Sequence, residues 1–96
     1  MGYKVSKDDI VASALKLATK HGFRRFSREQ IANALGVTGG TLNYYFDPIE
    51  KVHNEVVMAA LKTKNWKVFA QALAEKHPLA VAAPAAAKRE AVETLR

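Results

Sequence analysis

The sequence predicts an all-α fold, and three observations carry that prediction. Apolar residues recur at three- and four-residue steps in several stretches, as along one face of a helix. Two capping pairs, Ser6 with Asp9 and Ser27 with Gln30, stand at the heads of such stretches. No segment shows the strict apolar–polar alternation of a half-buried strand.

The elements follow in order. Ser6 caps a first helix over about residues 7 to 21, whose stripe is Ile10, Val11, Ala14, Leu15 and Ala18. Lys20 and His21 suit its negative end, and Gly22 is expected as a left-handed cap with Phe23 folded back on the stripe. Ser27 caps a second, short helix with Ile31, Ala32 and Leu35 inward, and Gly36 stops it. Thr38 is expected to cap a third short helix with Leu42 and Tyr45 inward. Asp47-Pro48 ends it, and the same two residues are expected to be the cap and first residue of the next helix.

From Ile49 the chain reads helical almost to Pro78. One stripe is Val52, Val56, Ala60 and Leu61; another is Trp66, Phe69, Ala70 and Leu73. The polar run Lys62 to Asn65 between them is either a bend or a solvated turn of one long helix. The alanine-rich tail after Pro84 reads as a lone helix, a docking helix or a frayed end. The organisation expected is a unit over 1–56 and a helical extension over 57–96, with one or two C-terminal helices.

Composition sets bounds on function. The chain has 96 residues, 49% of them apolar, which suits one small globular domain. Its net charge is +6 and its pI about 9.8, a balance that favours acidic partners, nucleic acid first. Each half of the chain, 1–51 and 52–96, carries +3, so no detachable basic tail accounts for it. Cysteine is absent, which excludes disulfides and thiolate metal sites. No apolar run approaches the roughly 20 residues of a membrane span, and the first residues lack a secretory apolar core. A cytoplasmic, nucleoid-associated protein is the expectation.

The segment GVTGGTLNYYF, Gly36 to Phe46, poses the central question. Glycine weakens a helix interior by about 1 kcal/mol against alanine, yet Gly39 and Gly40 stand at the head of a helix. Two short helices joined by a glycine turn, Arg28 to Tyr45, match a helix-turn-helix. Ala32 is small where the helices cross, Gly36 closes the turn, and Ile31, Leu35, Val37 and Leu42 fix the angle.

The longer stretch IVASALKLATKHGFRRFSREQIANALGVTGGTLNYYF, with Glu50 soon after, resembles the N-terminal DNA-binding domain of TetR-type transcriptional regulators. The resemblance covers about residues 8 to 56. It rests on His21-Gly22-Phe23, Ser27 before Ile31-Ala32, Gly36-Val37-Thr38, Gly40-Thr41-Leu42 and Tyr45-Phe46. It implies a three-helix, homeodomain-like fold whose third helix enters the major groove of double-stranded DNA. On that footing Thr38, Gly39, Gly40 and Thr41 approach the backbone, Asn43 bonds adenine, and Tyr44 meets phosphate or a thymine methyl. Arg24, Arg25 and Arg28 are phosphate candidates, and Tyr3, Lys4 and Lys7 form a possible basic arm. The chain departs from the family at Gly39 (usually polar), at Asn43 (usually Tyr) and at Ile49 (commonly a phosphate-binding Lys), with Lys51 nearby.

Family members usually carry a ligand-binding and dimerising domain after this region. Here about 40 residues follow, too few to enclose a pocket of about 300 Å³, so no small-molecule inducer is expected. A homodimer is expected instead, built on Trp66, Phe69 and Leu73. His21, His53 and His77 are too scattered for a metal site, no nucleophile or P-loop is present, and no cofactor or enzyme activity is expected. The resulting expectation is a dimeric, sequence-specific repressor. Two alternatives stay open: a helix-turn-helix scaffold that binds another protein, and a low-specificity DNA-organising or replication protein.

Overall fold

The computed structural model describes residues 5–94. Tyr3 and Lys4 of the expected basic arm lie outside that range. Among the described residues the elements are α1 (Lys7–His21), α2 (Arg28–Leu35), α3 (Gly39–Tyr45), α4 (Glu50–Lys62), α5 (Trp66–Ala74), α6 (Pro78–Val81) and α7 (Ala85–Thr94), with no strand.

Both capping boxes form. Ser6 accepts from the Asp9 N–H at 3.1 Å while Asp9 accepts from the Ser6 N–H at 3.0 Å. Ser27 and Gln30 repeat the exchange at 3.2 and 2.9 Å. Each box satisfies two amides that helix geometry leaves unpaired.

Three expected caps take other forms. Gly22 has φ 120 and ψ 155, an extended positive-φ state instead of the left-handed helical one. The next residue, Phe23, is buried, and its amide is used by α5. Thr38 is the N-cap of α3 by backbone angles, but its hydroxyl caps no amide and lies 3.3 Å from the Thr41 hydroxyl. Asp47 and Pro48 do not open α4, which starts two residues later behind Ile49. The Asp47 carboxylate instead pairs with Arg28 at 3.4 Å.

The polar run between α4 and α5 is a bend. Lys64 adopts φ 59, and the Lys64 and Asn65 amides bond back to Leu61 and Ala60 at 3.3 and 2.8 Å. That closes α4 with the motif that usually places glycine where Lys64 stands. Asn65 then caps α5 through Val68 and also donates to the Thr19 hydroxyl at 2.8 Å. The same closure recurs at Lys76, with φ 61, ahead of Pro78 at the start of α6. The C-terminal extension is thus cut more finely than the sequence suggests, because two lysines supply turns that carry no glycine signal.

The core joins all of these elements. Ile10, Ile31, Leu42, Val52, Val56, Val57, Val68 and Phe69 are each almost completely buried. Helix α5 packs against α1, α4, α6 and α7. The tail is a packed helix: Ala91 has no exposed surface, and α7 lies on α5. Its small residues let the two helices approach closely.

This packing corrects part of the expected dimer face. Phe69 has no exposed surface and serves the chain's own core. Trp66 and Leu73 are half-buried, with the Trp66 ring edge-on to Phe69 at 5.8 Å.

Candidate nucleic-acid interface

Helix α3 is held from below. Leu42 is 1% exposed and Phe46 6%, so its inner side is anchored in the core. Tyr45 is half-buried, and its hydroxyl donates to the Val5 carbonyl at 2.9 Å. The crossing with α2 is closed by Gly36, whose φ of 71 suits a residue without a Cβ.

The outer side of α3 faces solvent. Thr38, Gly39, Gly40, Asn43 and Tyr44 are exposed and Thr41 half-buried. Tyr44 is 82% exposed, an unusual position for a large ring, and it stands edge-on to Tyr45 at 5.1 Å. The two glycines have no role in the fold. Neither has a positive φ. A Cβ built on Gly39 meets nothing within 4 Å, and one on Gly40 meets only the Thr38 hydroxyl at 3.8 Å.

The three arginines separate. Arg25 is exposed, as is Lys51. Arg28 is half-buried and has partners within the chain: Nη1 donates to Asn43 Oδ1, and Nη2 reaches Asp47 Oδ1 at 3.4 Å. Arg24 is exposed and paired within the chain. Its guanidinium donates to Glu50 at 2.5 Å, to Glu75, and to His53 Nδ1 at 3.2 Å. Carboxylates 26 and 51 positions away claim it, which no local pattern announces.

That cluster shapes His53. Its ring lies between those of Phe23 and Phe26, 5.7 and 5.2 Å away between centroids. Arginine has only donors, so His53 Nδ1 is the acceptor and Nε2 carries the hydrogen. That N–H is buried and finds no hydrogen-bond partner among the described residues. Burial, and then the Arg24 charge, push the His53 pKa below the usual imidazole value, against the opposing pull of Glu50 and Glu75. Glu50 is in turn held below the ordinary carboxylate range, chiefly by its bond to Arg24. The arrangement is a structural brace between the α1–α2 turn, α4 and the end of α5.

An open groove of about 570 Å³ runs between α1 and α4, lined by Val11, Leu15, Met58 and Leu61 among others. It is a surface feature, and the sequence did not signal it. No cluster of metal-ligating side chains and no helix long and apolar enough to cross a membrane occurs among the described residues.

Residues 10–56 match the family model of bacterial regulatory proteins, tetR family. No curated protein and no solved structure gives a match. The matched stretch runs from Ile10 in α1 to Val56, about halfway along α4, so it contains the whole two-helix crossing and the exposed face of α3. Residues 10–56 thus form a helix-turn-helix domain of the type found in bacterial regulatory proteins of the tetR family, which supports a DNA-binding transcriptional regulator.

Proposed function

We propose that the protein is a homodimeric repressor that binds a specific duplex site with α3 in the major groove. The observation that carries this reading is the glycine pair at the head of α3. Each glycine costs helix stability, and no neighbour or backbone angle in the fold demands one. A surface that must come within reach of another backbone does demand them. Thr38, Gly39, Gly40, Thr41, Asn43 and Tyr44 form the DNA face in this reading, with Arg25 and Lys51 supplying phosphate contacts beside it.

Each copy offers one recognition helix. Two copies would set a pair about 34 Å apart, in successive major grooves. The half-buried Trp66 and Leu73 are where we place the contact between copies, with Phe69 supporting them from beneath. Repression then follows from occupying a promoter or operator. The extension over 57–94 acts as a buttress that holds α1 and α4, and through them α3.

Fragments selected from random duplex DNA, followed by salt titration of the selected and a scrambled duplex, test the reading. A regulator prefers its site by about a thousandfold or more. A palindromic site is expected for a two-fold pair. A steep salt slope without that preference marks a DNA-organising protein, and absence of both marks a protein-binding scaffold; either result overturns the proposal.

A further inference from the structure

Two stretches of this chain lack carboxylates. Between Asp9 and Glu29, and again between Glu55 and Glu75, no Asp or Glu occurs. The fold brings these stretches together. Asn65 Nδ2 donates to the Thr19 hydroxyl at 2.8 Å, which fixes the α4–α5 turn against α1. Lys16 and Lys20 stand within three positions of Thr19, and Lys62, Lys64 and Lys67 within three of Asn65. An open depression lined by Lys16, Thr19, Lys20 and Asn65 adjoins the α1–α4 groove that Lys62 lines, since Ala12 and Leu15 belong to both. All five lysines are exposed. Among the described residues none of them forms an ion pair, whereas Arg24 and Arg28 do. Asp8 and Glu55 share the groove with Lys62 without pairing with it.

We propose that these five lysines form a second contact surface for the phosphate backbone of duplex DNA, carried by α1, α4, α5 and the turn between the last two, and not by α3. It takes either the flank of the duplex that α3 holds or a second duplex; the phosphate chemistry is the same. Lysine presents a compact charge on a flexible stem, which suits phosphate and carries no base readout. A duplex has one negative charge per about 1.7 Å of its axis, so one patch meets several phosphates and releases their counterions. A bilayer is the poorer match. Of the exposed large apolar side chains, Tyr44, Met58, Val81 and Val92, only Met58 lies near the patch, one turn before Lys62. A membrane-seated face sets a row of such side chains into the lipid. Single-stranded nucleic acid is poorer too, since the ring beside Asn65, Trp66, is half-buried against Phe69 and offers no free stacking face. The surface needs DNA as its partner but no preferred site, so it goes beyond the role given to α3.

The test compares the wild-type chain with a variant carrying Lys16→Gln, Lys20→Gln, Lys62→Gln and Lys67→Gln, since glutamine suits a helix about as well as lysine. Lys64 stays, because its backbone holds φ 59. A second variant has arginine at the same four positions and keeps the charge. Each is titrated with salt on a duplex just long enough for the selected site and on one extended at both ends by random sequence. A tethered site duplex is also tested for capture of a labelled random duplex. For a flank contact, the glutamine variant should lose about 0.9 of salt slope per phosphate contact removed, on the long duplex only. For a second duplex, the slope stays and capture is lost. In both cases base preference is unchanged and the arginine variant matches the wild type. An unchanged slope together with unchanged capture overturns the inference, as does an arginine variant that behaves like the glutamine one. Loss of binding to phosphatidylserine vesicles with both DNA readouts intact assigns the patch to a membrane and overturns it too. Protection of the five lysines from an amine-modifying reagent by bound DNA is read on the wild-type chain, so it decides even where a variant fails to fold; unprotected lysines sink the proposal. If no site is selected, the proposed function falls, and the same comparison on short and long random duplexes still decides the patch.

Discussion

The backbone N–H of Phe23 donates to Gln71 Oε1 at 2.7 Å, across 48 positions of sequence. Gly22, at φ 120, turns the chain so that this amide, two residues past α1, points at α5 and not back into its own helix. Gln71→Ala leaves the amide without its partner in a half-buried setting, which costs about 1–2 kcal/mol. The midpoint of urea unfolding should fall accordingly, with the m-value unchanged. A midpoint equal to that of the wild type would show that the bond does not fasten α5 to the matched domain.

His53 makes stability depend on pH near neutrality. Its folded pKa is lowered, by burial first and by Arg24 second. In the unfolded chain it protonates near about 6.5. Below that value the unfolded chain binds the extra proton, so stability falls as pH drops from about 7 toward the lowered folded pKa. The charged and titratable groups facing the ring are Arg24, Glu50, Glu75 and His77. Glu50, held below its ordinary value of 4.5, keeps its contribution until the pH falls further. The urea midpoint should therefore drop between about pH 7.5 and pH 5.5, and His53→Leu should shrink that drop.

Gly39→Ala separates the needs of the fold from those of a partner. No atom lies within 4 Å of the added Cβ. The substitution should stabilise the free protein by up to about 1 kcal/mol while weakening binding to the selected duplex. Thermal unfolding and a binding isotherm on the same sample check both signs. Gain of stability with unchanged affinity would remove the main support for close approach at α3.

Tyr44 and Tyr45 are neighbours with opposite tasks. Tyr45→Phe loses the hydroxyl bond to the Val5 carbonyl and should cost about 0.5–1.5 kcal/mol of stability. Tyr44→Ala removes a ring that is 82% exposed, so stability should move by less than about 0.5 kcal/mol. Its effect belongs to DNA affinity, with a loss of about tenfold expected for a single lost contact. If the effects exchange places, the inner and outer sides of α3 are misassigned.

Much of this molecule was legible because the signals are local. The capping boxes of Ser6 and Ser27, the stripe of α1 and the glycine stop at Gly36 lie within one or two helical turns. The sequence placed α1 at Lys7–His21, and the coordinates agree. The outer face of α3 was equally legible, because a seven-residue helix with Leu42 inward must turn Asn43 and Tyr44 outward. The break at Lys64 was legible only as one of two alternatives for the polar run 62–65, and that at Lys76 only through the nearby Pro78, since lysine carries none of the turn signal that glycine does.

The sequence by itself determined the all-α class, the helix-turn-helix and the residues that α3 shows to solvent. Periodicity and capping act over a few residues and need no distant partner. Only the tertiary structure decided that Phe69 belongs to the chain's own core, that Arg24 joins Glu50 and Glu75, and that Arg28 holds Asn43. The physical reason is reach: a long cationic side chain has several carboxylate and amide partners open to it, and packing selects among them.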